Sequence, residues 1–186
     1  MARFHDELLN AARQLLARRS GQRGKLFGAR VRRSVSTSYY ALFHFLIEEA
    51  SVRLLGSGSE LLHRRRLFAR TFSHAAMKST FEKIRDRRID ASVVAFLKHS
   101  DNPEGLDGVP EFAANMARVF CDAQLKRHAA DYDMNAPASE ADAQMLARRV
   151  ADAIATWRAA DAPADRDFKR ALCALMALKG QLRREL

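Results

Sequence analysis

Residues 31–50, VRRSVSTSYYALFHFLIEEA, form a helical pattern that is apolar around most of its circumference. The apolar side consists of Val35, Tyr39, Leu42, Phe43 and Leu46. The other side carries polar residues at spacings i, i+4, i+7 and i+11, which share one helix face. This polar stripe consists of Arg33, Thr37, Tyr40 and His44, with Ser36 beside it. Such a helix is typical of the centre of a bundle, where polar groups need partners. The stripe is therefore the first candidate site.

The composition is that of an ordinary globular chain of 186 residues, with 48% hydrophobic and 29% charged residues. We therefore expect a single domain over residues 1–186. Residues 1–10, MARFHDELLN, carry charges where a signal peptide has an apolar run, and no apolar run approaches the roughly 18 residues of a membrane span. These features predict a cytoplasmic protein with no membrane partner.

The net charge of +10 favours anionic partners, namely nucleic acid, nucleotides or an acidic protein. The basic residues are mainly arginine and alanine is abundant, a pairing that a GC-rich coding bias would also produce. Cys121 and Cys173 belong to no CxxC or Cys/His cluster, so we expect both to pack as free thiols. The histidines are isolated, which predicts no zinc site.

Helical periodicity with capping and breaking residues divides the whole chain into helices. The predicted helices cover residues 3–19, 25–55, two short segments within 60–88 separated at 71–73, then 90–99, 109–131, 139–160 and 163–180. In the helix over 139–160, the expected core face is Met145, Leu146, Val150 and Ile154, with Trp157 flanking it. No segment alternates like a strand. The prediction is an all-α bundle of six to eight helices, with the helices over 25–55 and 109–131 as neighbours.

A second polar cluster, RHAADYD, closes the helix over 109–131. Arg127 and Asp131 are spaced i, i+4, as are His128 and Tyr132. The simplest interpretation is a surface ion pair worth a few tenths of a kcal/mol.

A basic run, HRRRLFARTF over residues 63–72, interleaves arginines with Phe68 and Phe72. Its arginines are Arg64, Arg65, Arg66 and Arg70. Such a run would suit a nucleic-acid surface, with the arginines contacting phosphates and the rings stacking on bases. The alternative is a helix with a solvated basic side and two core phenylalanines. The sequence has no P-loop and no GxGxxG, so we expect no loop that cradles phosphates and no cofactor.

RRSVSTSYYALFHFL resembles the signature helix of HEPN-domain proteins, and RHAADYD resembles the R-x-x-ADYD segment of a prokaryotic HEPN-like branch. The order and separation of the two motifs agree with that branch, and the resemblance covers residues of about 25–160, with the helix over 163–180 packed on this core. It implies an antiparallel helical bundle, a homodimer and an association with RNA or nucleotides. It also implies a small nucleotidyltransferase as a partner, in an arrangement of the toxin–antitoxin type.

Catalytic members of this superfamily carry an arginine and a histidine separated by four to six residues. This sequence has no such pairing, and the positions counted from Arg127 hold Tyr132, Asp133 and Met134. This departure argues against a ribonuclease.

Three functional hypotheses follow from the residues and the resemblance. The preferred one is a HEPN-like binding or regulatory module for RNA, a nucleotide or a partner nucleotidyltransferase. The second is a metal-independent ribonuclease with a degenerate site, in which His44 meets Arg127 and Asp131. His44 would act as general acid or base, and Arg127 would stabilise the charge of the phosphorane. The third is a structural helical subunit without an anionic ligand, in which the polar groups form a network between two helices. For all three hypotheses, the expected ligand or network residues are Arg33, Thr37, Tyr40, His128 and Tyr132. Under any of them, Tyr40 or His44 should lie within hydrogen-bond reach of Arg127 or Asp131.

Overall fold

A computed structural model describes residues 3–17, 25–88, 108–133 and 139–178, and within these ranges the chain forms α-helices and no strand. The prediction of an all-α fold with six to eight helices is confirmed. The seven α-helices are α1 (Phe4–Leu16), α2 (Lys25–Leu55), α3 (Leu62–Ala69), α4 (His74–Arg85), α5 (Glu111–Tyr132), α6 (Glu140–Ala159) and α7 (Pro163–Leu178), with a 3-10 turn at Ser59–Leu61. The helix predicted over residues 90–99 lies outside the described residues.

The helix ends follow the stop and start residues of the sequence. Helix α2 ends at Leu55, and the next residue, Gly56, has a φ of 97°. This left-handed conformation favours glycine because it strains residues with a side chain. Helix α4 begins after Ser73, whose hydroxyl accepts a hydrogen bond from the Ala76 N–H. Helix α6 begins after Ser139, whose hydroxyl accepts from the Asp142 N–H at 3.0 Å. The first cap confirms the predicted break at 71–73, and the second, with Asp142 three residues after Ser139, approximates a capping box.

The chain divides into two compact units. Unit 1 comprises Met1–Phe45 and Val119–Ala155, and unit 2 comprises Leu46–Arg118 and Thr156–Leu186. Helices α2, α5 and α6 each contribute a segment to both units.

In unit 1, helix α2 lies antiparallel to both α1 and α5. Along α1, the Ser34 hydroxyl donates to the Ala12 carbonyl at 2.8 Å and the ring of His44 contacts Phe4, so residue numbers rise on one helix as they fall on the other. The same relation holds along α5, where Arg32 donates to the Asp133 carbonyl at 2.8 Å and Tyr40 meets Arg127. The prediction that the helices over 25–55 and 109–131 are neighbours is confirmed.

The core of unit 1 uses the predicted apolar side of α2. Its buried side chains include Leu9, Leu16, Val35, Tyr39, Leu42, Phe43, Phe120, Leu146 and Val150. Burial raises the pKa of the Tyr39 hydroxyl, and its ring packs 5.7 Å from that of Phe120. The expectation that Met145 faces the core is wrong, because its side chain is 59% exposed. Ala143 and Ala147 take the inward positions beside Leu146, so the buried face of α6 is turned away from Met145.

The core of unit 2 centres on Trp157, which was expected only to flank the core. Its side chain is fully buried, and its ring lies 5.5 Å from that of Phe112. The indole N–H donates to the Glu49 carboxylate at 2.9 Å, and Arg53 donates to the same oxygen at 3.0 Å. The hydrogen bond to Glu49 explains how an indole is accommodated so deeply. Helices α4 and α7 also contribute core side chains, which include Met77, Phe81, Ile84, Phe168, Leu172 and Met176.

Candidate functional site

The polar stripe of α2 runs along the margin of its buried face. Arg33 is exposed, whereas Thr37, Tyr40 and His44 are half-buried. Thr37 donates to the Arg33 carbonyl of its own helix at 2.7 Å. The part of the stripe that follows Arg33 is therefore partly removed from water.

Three serines on α2 are more deeply buried than the stripe itself. Ser34, Ser36 and Ser38 are each at most 1% exposed. Ser38 bonds within the helix to the Ser34 carbonyl, and Ser34 bonds across to α1. Such small hydroxyl side chains satisfy themselves on nearby backbone, which lets neighbouring helices approach closely.

The main polar site of unit 1 forms around Arg127 on α5. Arg127 donates from Nη2 to the Tyr40 hydroxyl at 3.0 Å, and its Nε lies 2.7 Å from the Oδ2 of Asp131. The other carboxylate oxygen of Asp131 accepts a hydrogen bond from the buried Ser36 hydroxyl. We refer to Ser36, Tyr40, Arg127, Asp131 and Tyr132 as the Arg127 cluster. The expected meeting of the two polar motifs is confirmed through Tyr40 and Arg127.

Two aromatic rings also flank the Arg127 guanidinium. Its central carbon lies 5.6 Å from the ring of Tyr40 and 5.5 Å from that of Tyr132, distances at which cation–π attraction operates. Burial opposes the charge, but Tyr40 and Asp131 more than offset it, so the pKa of Arg127 is raised. Tyr132 is 66% exposed and stacks obliquely on His128, with ring centroids 5.0 Å apart. The cluster therefore holds a permanent cation that donates to Tyr40 and lies in ion-pair distance of Asp131.

A second arginine fixes the end of α5. Arg32 donates to the Asp133 carbonyl at 2.8 Å and to the Ala130 carbonyl at 3.4 Å. Carbonyls at a helix C-terminus lack intrahelical partners, and a cation there also complements the helix dipole. Arg32 thus anchors the RHAADYD segment to α2, which keeps Asp131 opposite Ser36.

His44 does not take part in the Arg127 cluster. Its ring lies edge-on to Phe4 at 4.9 Å and to Phe43 at 5.7 Å. Burial and the nearby His5 lower the pKa of His44, which favours the neutral imidazole. Within the described ranges, neither a hydrogen bond nor an ion pair joins it to Arg127 or Asp131. Of the three residues proposed to act in catalysis, Arg127 and Asp131 lie together, whereas His44 packs against aromatic rings.

Helix α3 carries most of the basic run, and none of the residues within the helix is buried. Arg70 directly follows its last residue. Arg64, Arg66 and Arg70 are exposed, and in the described part of the chain none of them forms an ion pair. Arg65 differs, because it donates at 2.8 Å to both the Gly56 and the Gly58 carbonyls. Its assignment to a nucleic-acid surface is corrected: the guanidinium is used to hold the loop that follows α2.

The two aromatic residues of the basic run are not arranged for base stacking. Phe68 and Phe72 pack perpendicular to each other with centroids 5.3 Å apart, and Phe72 is only 9% exposed. The core interpretation of these phenylalanines is therefore the better one. The exposed apolar side chains of α3 are instead Leu62 and Leu67, at 47% and 49%.

Neither cysteine forms a disulfide, and Cys173 does not offer a reactive centre. Burial raises the pKa of the Cys173 thiol to about 12. A thiol with so high a pKa is a poor nucleophile and metal ligand near neutral pH.

The described residues contain no group of three or more His, Cys, Asp or Glu side chains placed to hold a metal ion. No α-helix in these ranges has both the length and the apolar character needed to cross a lipid bilayer.

Sequence reasoning missed two groups of polar residues. Lys169 is fully buried, with its ammonium donating to the Ala160 carbonyl, and it directly follows the buried Phe168 on α7. Arg13 and Arg148 line a cleft in unit 1. The position of Lys169 on its helix face could have indicated its burial. The cleft could not be predicted, because it is formed by residues of two helices and neither sequence segment alone indicates it.

Comparison of the chain with family models, curated proteins and solved structures finds no match.

Proposed function

We propose that this chain is a HEPN-like binding module that recognises RNA through the exposed arginines of α3. The observation that carries the proposal is the absence of acidic partners for Arg64, Arg66 and Arg70 among the described residues, on a helix that buries nothing. Guanidiniums without an ion-pair partner on an exposed helix attract phosphates without first having to break an ion pair.

The overall charge supports the same proposal. A net charge of +10 draws the chain toward polyanions at long range, and the three arginines supply the local contact. Arg65 supports it indirectly, because its two bonds to the preceding loop fix the position of α3. A surface of this kind binds the phosphate backbone and reads little sequence.

Binding is preferred to RNA cleavage for reasons that lie in the Arg127 cluster. The guanidinium that would stabilise a phosphorane is already paired with Asp131 and Tyr40. The only nearby histidine of the stripe, His44, contacts Phe4 and Phe43 instead. General acid–base catalysis needs the titrating group within hydrogen-bond reach of the reacting atoms. The cluster is better suited to fixing the register of α2 and α5.

The resemblance extends the proposal to the chain's partners. The HEPN-like motifs suggest a homodimer that regulates, or is regulated by, a small nucleotidyltransferase in a toxin–antitoxin-type pair. Co-expression with such an enzyme from the adjacent reading frame, followed by size-exclusion chromatography, tests this part independently of RNA.

The test of RNA recognition measures retention of a labelled single-stranded RNA at increasing salt concentrations. The variant is Arg64→Gln/Arg66→Gln/Arg70→Gln. The matched control is Arg88→Gln/Arg166→Gln/Arg170→Gln, which removes the same charge from arginines of unit 2 that pair with Asp86, Asp161 and Asp167. We expect the α3 variant to reduce the slope of log K against log salt by about 2, since each lost phosphate contact removes about 0.7. The control should retain most of the slope.

Equal losses in the α3 variant and the control would reduce the effect to net charge and overturn the assignment to α3. An absence of salt-dependent retention by the unmodified protein would favour a structural subunit. RNA shortening that disappears in both His44→Ala and Arg127→Ala would establish the ribonuclease alternative instead.

A further inference from the structure

We propose that unit 1 contains a binding site for a small phosphate monoester in the cleft between α1 and α6. The cleft has a volume of about 370 Å³ and is lined by Arg13, Leu16, Ala17, Gln144, Ala147 and Arg148. This volume falls at the lower end of the range for ligand sites, about 300–1,000 Å³, and suits a ligand the size of a mononucleotide or a smaller ester. The proposal goes beyond RNA recognition by α3 and does not depend on it.

The charge of the cleft comes from two arginines on different helices. Arg13 and Arg148 are exposed, and no carboxylate in the described part of the chain pairs with either of them. The next residue, Arg149, is different because its Nη1 donates to Asp122 at 2.6 Å. Of two consecutive arginines on α6, one is therefore neutralised by α5 and the other is left facing the cleft. A pair of unneutralised guanidiniums matches a phosphate dianion, to which each can donate two hydrogen bonds.

The floor of the cleft is apolar. Leu16 is 5% exposed and Ala147 is 2% exposed, and both present only hydrocarbon. A free inorganic anion gains nothing from such a floor, whereas the organic group of an ester gains from covering it. Gln144 donates from Nε2 to the Glu140 carboxylate at 3.0 Å, which leaves its amide oxygen as an acceptor for a donor group of the ligand.

The C-terminal end of α1 would by itself repel an anion, because the last carbonyls of a helix carry partial negative charge. Arg30 offsets this repulsion by donating to the Ala17 carbonyl at 3.1 Å and to the Gln14 carbonyl at 3.3 Å. The negative end of α1 is thus neutralised at the rim of the cleft, which leaves the charges of Arg13 and Arg148 dominant there.

The test is isothermal titration calorimetry of the full chain with phenyl phosphate, AMP, inorganic phosphate and uncharged adenosine. We expect phenyl phosphate and AMP to bind more tightly than inorganic phosphate, and adenosine to give no measurable heat. Arg13→Gln and Arg148→Gln should each weaken AMP binding by roughly tenfold to a hundredfold, because each removes charge-assisted hydrogen bonds. Arg149→Gln is the control and should change AMP binding by less than about threefold, since its guanidinium already pairs with Asp122.

A terminal phosphate can come from a free nucleotide or from the 5′ end of an RNA. Titration of the Arg64→Gln/Arg66→Gln/Arg70→Gln variant with a short RNA bearing either a 5′-phosphate or a 5′-hydroxyl separates the two sources. If only the 5′-phosphorylated RNA competes with AMP, the cleft accepts RNA ends; if neither RNA competes, it accepts free nucleotides. Failure of every phosphate ester to bind at millimolar concentration, or equal weakening by Arg149→Gln, would overturn the proposal and leave the RNA test of α3 untouched.

Discussion

The two units of this protein each hold one cation away from water, and they stabilise it in different ways. In unit 1, Arg127 meets a carboxylate, a phenol and two aromatic rings. In unit 2, Lys169 meets one backbone carbonyl and the rings of Phe112 and Trp157, at 5.2 and 5.5 Å. Burial opposes both charges, but the pKa of Arg127 is raised whereas that of Lys169 is lowered by burial and by the nearby Arg53.

The difference shows what a buried cation requires to remain fully charged. The planar guanidinium of Arg127 donates a hydrogen bond to a phenol and forms an ion pair with a carboxylate, and these two interactions offset its desolvation. The ammonium of Lys169 has one close acceptor, and its four-carbon stem accounts for much of its buried surface. We therefore expect unit 1 to depend on the polar head of its cation and unit 2 on the stem.

The largest expected effect is that of Lys169→Ala. Removing a fully buried stem between Phe112 and Trp157 leaves a cavity, and comparable core truncations cost about 2–5 kcal/mol. Lys169→Met retains the stem volume and removes the desolvated charge, so it should change the free energy of unfolding by no more than about 1.5 kcal/mol. Urea unfolding followed by circular dichroism measures both. Equal losses for Ala and Met would show that the ammonium matters more than the stem.

The next effect is that of Asp131→Ala, which leaves Arg127 and the buried Ser36 hydroxyl without their carboxylate. Because the two ion-pair side chains are only 19% and 26% exposed, we expect a loss of about 1–3 kcal/mol in the free energy of unfolding. Glu82→Ala is the matched control: Glu82 pairs with Lys78 at the same i, i+4 spacing but in solvent, so its loss should stay below about 0.5 kcal/mol. An unchanged denaturation midpoint for Asp131→Ala would mean that the cluster contributes nothing to stability.

Arg127→Lys gives a smaller and sharper test of the same site. A lysine keeps the charge but cannot reproduce the fork that contacts Asp131 and Tyr40 together, so we expect a loss of about 1 kcal/mol. Arg170→Lys, at a side chain that is 59% exposed, serves as the control and should be neutral. Equal stability of Arg127→Lys and the parent protein would reduce the role of Arg127 to its charge.

The smallest effect is a pH dependence specific to unit 2. Because the pKa of Lys169 is lower in the folded protein than the usual value of about 10.5, the unfolded chain binds more protons between those two values. The free energy of unfolding should therefore rise with pH through this window, relative to Lys169→Met. The difference between the two denaturation curves across alkaline pH measures it, and a difference that stays constant contradicts the lowered pKa. Arg127 titrates too high to contribute.

The sequence was sufficient for the helices but not for their exact rotation. Gly56, Ser73 and Ser139 act on the backbone next to them, so the ends of α2, α4 and α6 could be predicted from local chemistry. Met145 could not, because two adjacent apolar residues leave the phase of α6 undetermined by about one position. Packing against the other helices decides it.

The sequence predicted which residues belong to the candidate site but not which of them bond to each other. Two polar motifs on neighbouring helices had to meet, and Tyr40 does contact Arg127. The residue of α2 that bonds to Asp131 is Ser36 and not His44. The reason is that side chains along the whole length of two antiparallel helices set how far one is shifted along the other. The hydrogen bonds of Arg65 could not be predicted either, because the positions of its two carbonyl acceptors depend on the conformation of the loop before α3.

Trp157 is the one tryptophan of the chain, and its position makes it a local reporter. Its indole is fully buried beside the Glu49 carboxylate and the Lys169 ammonium, so its fluorescence senses the loss of that environment in unit 2. Circular dichroism, by contrast, records all helices of the chain. An unfolding experiment that follows both signals therefore compares one part of the molecule with the whole without any added label. Coincident curves would identify a single cooperative transition, and displaced curves would resolve the unfolding of unit 2 from that of the rest.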